Sequence, residues 1–313
     1  MDRDLLLKAH SRIAPFVHRT PVIASRAVNA LCDAEIVFKC ENFQKMGAFK
    51  MRGATNAIMQ LSDRPKNNGV VTHSSGNFAQ ALALAARNLG VIAHIVMPHN
   101  APKVKVEAVK GYGGRVVFCG SAIEDRETTT QQVIDKTGAT FIHPSDDIDV
   151  ILGNATAAME LLEDFPDLQY IVAPVGGGGL LAGTALATHF FGNNCKVLGA
   201  EPKNVDDAYR SLISGKIEIN ENTDTIADGL RTHLGNVNFP IIQQFVDSII
   251  TVEEPEIKDA MRFIYERMKI VVEPSSAVAL AAVIKSKARL KDKKVGIILS
   301  GGNVDLSGFA LYF

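Results

Sequence analysis

Short runs of branched apolar residues, each followed by a stretch of helical periodicity, recur along most of this 313-residue chain. The runs lie at 34–39, 70–73, 93–97, 115–119, 140–143, 170–175, 196–200, 248–252 and 295–299. Strands that alternate with helices read as βαβ units and a largely parallel sheet. Several of the runs are continuous in Val, Ile and Leu, as strands covered by helices on both faces require. Helical patterns fall at 77–89, 123–137, 180–191, 256–268 and 275–287, with Gly90 and Gly138 placed to end the first two.

The expected class is α/β, with two open, mostly parallel units that meet in a cleft. The segment 69–147 would form the smaller unit, inserted between 1–68 and 148–313 of the larger. Ligands in such folds sit beyond the carboxyl ends of the strands. The formal net charge of −1 gives no reason to expect nucleic acid or an anionic membrane as partner. The first residues carry acids and lack the apolar core of a signal peptide, and no apolar run reaches the ~20 residues that span a bilayer. Cys32, Cys40, Cys119 and Cys195 show no metal spacing and read as buried free thiols, which suits a reducing, cytoplasmic compartment.

Three segments carry chemistry. Gly176 to Gly179 are four consecutive glycines between an apolar run and a helical pattern. Glycine there permits the positive φ and close backbone approach of a phosphate nest, and a helix N-terminus adds free N–H groups. A tight strand–helix turn that binds nothing is the alternative. Lys50 stands between Phe49 and Met51 at a helix start, where burial would lower its pKa and make it a nucleophile and base. Ser74-Ser75-Gly76-Asn77 follows a strand and suits a carboxylate anchor, or else Ser75 or Asn77 caps the next helix. A lysine, a Ser-Asn turn and a glycine cradle are together the parts that hold pyridoxal phosphate (PLP).

Two further turns matter. Ser300, at the end of the last strand, can hydrogen-bond a ring nitrogen without protonating it. Glu201, Val205 and Asp207 offer carboxylates and a carbonyl of the kind that bind Mg²⁺, Ca²⁺ or Mn²⁺, though a solvated acidic turn is the better reading from the residues alone.

With these residues in view, the chain resembles the serine racemase and serine/threonine dehydratase family of PLP fold type II, which includes the 3-hydroxyaspartate dehydratases. The resemblance runs nearly end to end, through 41–53, 72–77, 174–180, 200–207, 226–229, 266–274 and 299–305. It implies that Lys50 carries the cofactor and acts as base on one face of Cα, with Ser75 as acid or base on the other. It places Phe49 on the ring, Asn77 on the ring hydroxyl, Gly176, Gly177, Gly178 and Gly179 on the phosphate, and Ser300 on the ring nitrogen. Ser74, Ser75 and Asn77 would grip the substrate carboxylate, and Glu201, the Val205 carbonyl and Asp207 would hold the divalent metal.

The implied reaction is loss of water and ammonia from L-serine, L-threonine or 3-hydroxyaspartate. Return of the Cα proton on the opposite face would give racemisation instead. A predominant racemase, a β-replacement enzyme and a non-catalytic amino-acid-binding protein are the other readings. A second substrate carboxylate would need a cation, and Arg126 is the candidate. A homodimer is expected from the resemblance. The expectation is a chain without the C-terminal regulatory domain of the allosteric biosynthetic threonine deaminases. The chain departs from the family at Phe78, usually His, at Ser145, and in Gly153-Asn154-Ala155-Thr156.

Overall fold

The computed structural model describes residues 1–305 and residue 312. Among the described residues ten strands form in chain order: β1 (Val22–Ala24), β2 (Glu35–Cys40), β3 (Val70–His73), β4 (Ala93–Pro98), β5 (Arg115–Cys119), β6 (Thr140–Phe141), β7 (Tyr170–Pro174), β8 (Lys196–Pro202), β9 (Ser248–Val252) and β10 (Lys294–Leu299). They make a six-stranded sheet of order β1-β2-β10-β7-β8-β9 and a four-stranded sheet of order β5-β4-β3-β6. Every pairing is parallel except β1 with β2. All nine expected strands are present. The added one, β1, is three residues long and follows Pro21 at a sheet edge, too short to show a period.

Helices cover both faces of the larger sheet. Ile171, Ala173, Val197 and Ile298 enter one core, while Val172, Leu198, Ile297 and Leu299 enter the other. Neighbours in one strand thus point into opposite cores, which is why these runs are apolar throughout. Two helices absent from the sequence reading, Arg3–Ile13 and Ile148–Asp164, pack here as well. The expected helix at 256–268 is in fact Glu254–Phe263, followed by a π-helical turn, Ile264–Met268, that ends where Lys269 turns left-handed at φ 60°. Among the described residues no helix is long and apolar enough to cross a membrane. Cys32, Cys40 and Cys119 are buried free thiols, whereas Cys195 is only partly buried.

A buried ion cluster anchors the helix Lys50–Gln60. Arg52 is fully buried and donates from Nε to Glu41 at 2.8 Å and from Nη1 to Glu160 at 2.7 Å. Lys39, also fully buried, donates to Glu160 at 2.7 Å and to the Thr20 carbonyl at 2.8 Å. The two cations balance the two carboxylates, so no charge in the cluster is left unpaired. The same helix meets Ile148–Asp164 at two glycines, where a Cβ on Gly153 would lie 2.7 Å from the Gly53 Cα.

Candidate active site

Segments that leave strands of both sheets converge on Lys50. It is the first residue of its helix, and the turn before it is pinned to the end of β10. Ala48 bridges Gly301, and the Phe49 N–H donates to the Ser300 carbonyl at 3.0 Å. The Lys50 Nζ donates to the Pro144 carbonyl at 2.7 Å, just past the end of β6. The Phe49 and Phe78 ring centres lie 5.1 Å and 5.6 Å from it. Burial pushes the amine down to about 8, against the charge of Glu273, which raises it. A lysine poised near neutrality can be nucleophile and base in turn.

The glycine run lies at the end of β7. Gly178 has φ +81° and stands at the N-cap of the helix Gly179–Phe191. A Cβ on Gly177 would lie 2.4 Å from the Ser145 Oγ, and one on Gly176 would lie 2.6 Å from the Leu230 Cα. Side chains are therefore excluded, and the segment is wholly buried. Among the described residues, no hydrogen-bond acceptor meets the N–H groups of Gly176, Gly177 or Gly178. Buried N–H groups without partners are costly, and a run of them at a helix start is a ready anion site. Asn238 braces the loop by donating to the Gly177 carbonyl at 2.9 Å.

The Ser-Asn turn joins β3 to the helix Asn77–Asn88. Its N-cap is Gly76, with no side-chain cap, so neither Ser75 nor Asn77 serves as one. The Ser75 hydroxyl makes no hydrogen bond to any described residue, and the Ser74 Oγ accepts from the Gly76 N–H at 3.3 Å. Ser300 is buried and lies 3.1 Å from the Ser276 Oγ. Ser276 donates its only hydroxyl proton to the Gly301 carbonyl at 2.6 Å, so in the Ser276–Ser300 hydrogen bond Ser300 is the donor.

Arg126, in the helix Ile123–Thr137, is half-buried. Its Nε is enclosed without an acceptor, and its charge is felt by His73 at the end of β3. Glu201 lies in β8, and Asp207 begins the helix Asp207–Ser214. Both are fully buried, which excludes a solvated turn, and the enclosed Val205 lies between them in sequence. Glu201 accepts from the Ala208 and Tyr209 N–H groups at 3.0 Å and 2.8 Å. Burial, then the neighbouring Asp207, pushes its carboxyl well above the usual range.

The model of the family described as "Pyridoxal-phosphate dependent enzyme" matches residues 13–301. The chain belongs to the pyridoxal-phosphate-dependent enzymes. The enzyme is 49% identical over 97% of its length to the serine racemase of Dictyostelium discoideum, covering 95% of that protein. It is 47% identical over 97% of its length to the L-threo-3-hydroxyaspartate ammonia-lyase of Saccharomyces cerevisiae, covering 94% of it. The structure of maize serine racemase superposes with a TM-score of 0.96 at 47% identity, with 99% of this chain and 96% of that one covered.

The residues of the enzyme fit the cofactor. The unmatched N–H groups and side-chain-free surface of the glycine run suit a phosphate, the crowded amine of Lys50 suits an aldehyde, and the Ser300 hydroxyl, a donor that can turn from Ser276 to a ligand, suits a ring nitrogen. A divalent cation fits the second site, since the buried Asp207 Oδ2 has no hydrogen-bond partner beside an equally buried Glu201. Four polar residues of the cleft were given no role by the sequence reading: Glu273, Asn303, Ser276 and His143. Burial pushes His143 down to about 4, and its Nδ1 accepts from the Ser145 and Asp146 N–H groups at 3.2 Å and 2.7 Å. Asn303 stands three residues beyond Ser300, and that proximity was the signal that could have found it.

Proposed function

We propose that this enzyme catalyses β-elimination from a 3-hydroxy amino acid, releasing a keto acid and ammonia. L-serine, L-threonine and 3-hydroxyaspartate are the candidate substrates. The observation that carries the reading is the Lys50 amine, held beside both aromatic rings and lowered toward neutrality in a cleft that also holds the glycine cradle. When bound, PLP withdraws electrons from the bonds at the substrate Cα. The chain's own residues do the rest. The N–H groups of Gly176 to Gly179 grip the phosphate, Phe49 packs on the ring, and Ser300 donates to the ring nitrogen without surrendering its proton. Ser74, Ser75 and the backbone N–H of Asn77 would hold the substrate carboxylate. Lys50, once free, takes the Cα proton, and its lowered pKa keeps part of it neutral for that task.

A second reading, racemisation at the same centre, is favoured by the unengaged Ser75 hydroxyl, which is free to exchange a proton with Cα. Arg126 is the proposed anchor for a second carboxylate, supported by its enclosed Nε without an acceptor. Glu201, the Val205 carbonyl and Asp207 would hold Mg²⁺, Ca²⁺ or Mn²⁺, which would neutralise the two buried carboxylates. The resemblance supports a cytoplasmic homodimer.

The test is ammonia and keto-acid release from L-serine, L-threonine and L-threo-3-hydroxyaspartate with Mg²⁺ present. Release from at least one is expected. No release from any, with D-serine forming from L-serine, would replace the lyase by the racemase. Silence in both assays would sink the proposal.

A further inference from the structure

Glu273 is only 4% exposed and precedes the helix Pro274–Lys285, yet its side chain does not cap that helix. It turns instead to Asn77, 196 positions away, whose Nδ2 donates to both carboxylate oxygens at 2.9 Å and 3.0 Å. The Asn77 Oδ1 accepts from the Asn303 Nδ2 at 2.9 Å, and that nitrogen also donates to the Met46 carbonyl at 2.8 Å. A Cβ on Gly301 would lie 2.8 Å from the Glu273 Oε1, so the glycine leaves room for the carboxylate. Two distant chain segments thus close on one side-chain amide.

The polarity of that amide is dictated. An ionised carboxylate can only accept, so the Asn77 nitrogen must face Glu273, and Asn303 requires the oxygen on its own side. What Asn77 retains for a ligand is the second hydrogen of Nδ2, a donor. The charged and titratable groups that bear on Glu273 are Lys50, Lys105, Asp228 and Tyr265. Lys105 is already paired with Asp228 at 2.5 Å, so its charge is largely answered there.

We infer that Glu273 is a positioning residue, which clamps the Asn77 amide so that an N–H faces the ring oxygen of the bound cofactor and keeps that oxygen anionic. It also supplies the negative charge that Lys50 senses. The inference rests on the cofactor reading above. Burial, ahead of the opposing hydrogen bond from Asn77, pushes Glu273 up to about 7, close to the value of about 8 for Lys50.

The test is a pH titration of the visible absorption of the holoenzyme, with cofactor affinity measured alongside. The wild type should show a transition with a midpoint near neutrality. In Glu273→Gln the new Oε1 still accepts from Asn77, so the cofactor should stay bound within about threefold while the transition is lost. Glu273→Ala breaks the clamp and should weaken cofactor binding by about tenfold or more. Asn303→Ala removes the other half of the clamp and should weaken it likewise, which covers the case of a Glu273→Ala chain that does not fold. An unchanged midpoint in Glu273→Gln, or wild-type affinity in either alanine variant, overturns the inference. A wild-type chain that neither binds PLP nor shows visible absorption would instead count against the cofactor reading itself.

Discussion

The Lys50 ammonium and the Pro144 carbonyl oxygen are 2.7 Å apart, a contact that ties the helix following β2 to the exit of β6 in the other sheet. The proposed nucleophile is thereby held by the segment that leads into Ser145, on which the glycine run packs. A single hydrogen bond joins the amine to the connection between the sheets, next to the residue on which the glycine run packs.

Lys50→Ala removes both the cofactor attachment and the base. Keto-acid release should fall by more than about 10³-fold. The purified variant should also lose the visible absorption of the wild type. Full turnover in this variant would end the proposed mechanism.

Ser75→Ala deletes the one hydroxyl of the Ser-Asn turn that engages no described residue. Racemisation of L-serine should drop by about 10²-fold or more, while elimination from L-substrates drops far less. The ratio of D-serine to pyruvate formed from L-serine reads this directly. Equal loss of the two products would remove Ser75 from the second face.

Gly153→Ala places a methyl group 2.5 Å from the Arg52 carbonyl oxygen and 2.7 Å from the Gly53 Cα. Both are backbone atoms on a helix anchored by buried charges, so relief requires the helices to part. The cost should be about 1–3 kcal/mol, read as a lower urea midpoint.

The ion cluster gives the acid limb of stability its sign. Burial raises the Glu160 carboxyl, but a hydrogen bond from His10 and the charges of Arg52 and Lys39 outweigh it and hold the group well below the usual range. Such a carboxylate contributes stability above its unfolded value near 4.5 and loses it as pH falls through the folded value. Thermal midpoints should therefore fall steeply below about pH 4.5. Glu160→Gln should flatten that fall and, by leaving Arg52 and Lys39 short of a partner, cost about 3–5 kcal/mol at neutral pH.

Asp207→Ala removes the carboxylate whose Oδ2 lacks a partner. Saturating Mg²⁺ should raise the thermal midpoint of the wild type by an amount equivalent to about 2–3 kcal/mol at a hundredfold excess over the dissociation constant. The variant should show no such rise. An equal rise in both would move the ion away from Glu201 and Asp207.

Much of the fold was legible because it rests on local rules. Apolar runs buried on both faces stand out in any parallel sheet, and β3, β5 and β9 lie where the pattern places them. The glycine run and the Ser-Asn turn are conspicuous because few physical demands other than backbone approach and anion binding produce them. Helix Ile148–Asp164 went unread, since its Ala, Gly and Asn positions serve close packing and leave only a faint polar face. The acidic turn was misjudged as solvated on its own residues because burial of Glu201 and Asp207 depends on elements distant in sequence.

The sequence by itself thus determined the class of fold, and it marked out the lysine, the glycine run and the serine at the end of β10 as the proposed site, each through periodicity or a rare local pattern. Only the tertiary structure decided which groups face them. Glu273 meets Asn77, Ser276 meets Ser300, and Arg52 meets Glu160 across separations of 196, 24 and 108 residues. The strand order β1-β2-β10-β7-β8-β9 and the packing of helices over it bring these pairs together. Local composition carries no record of a partner that distant, because the energy of a buried polar contact is set by what the fold leaves beside it.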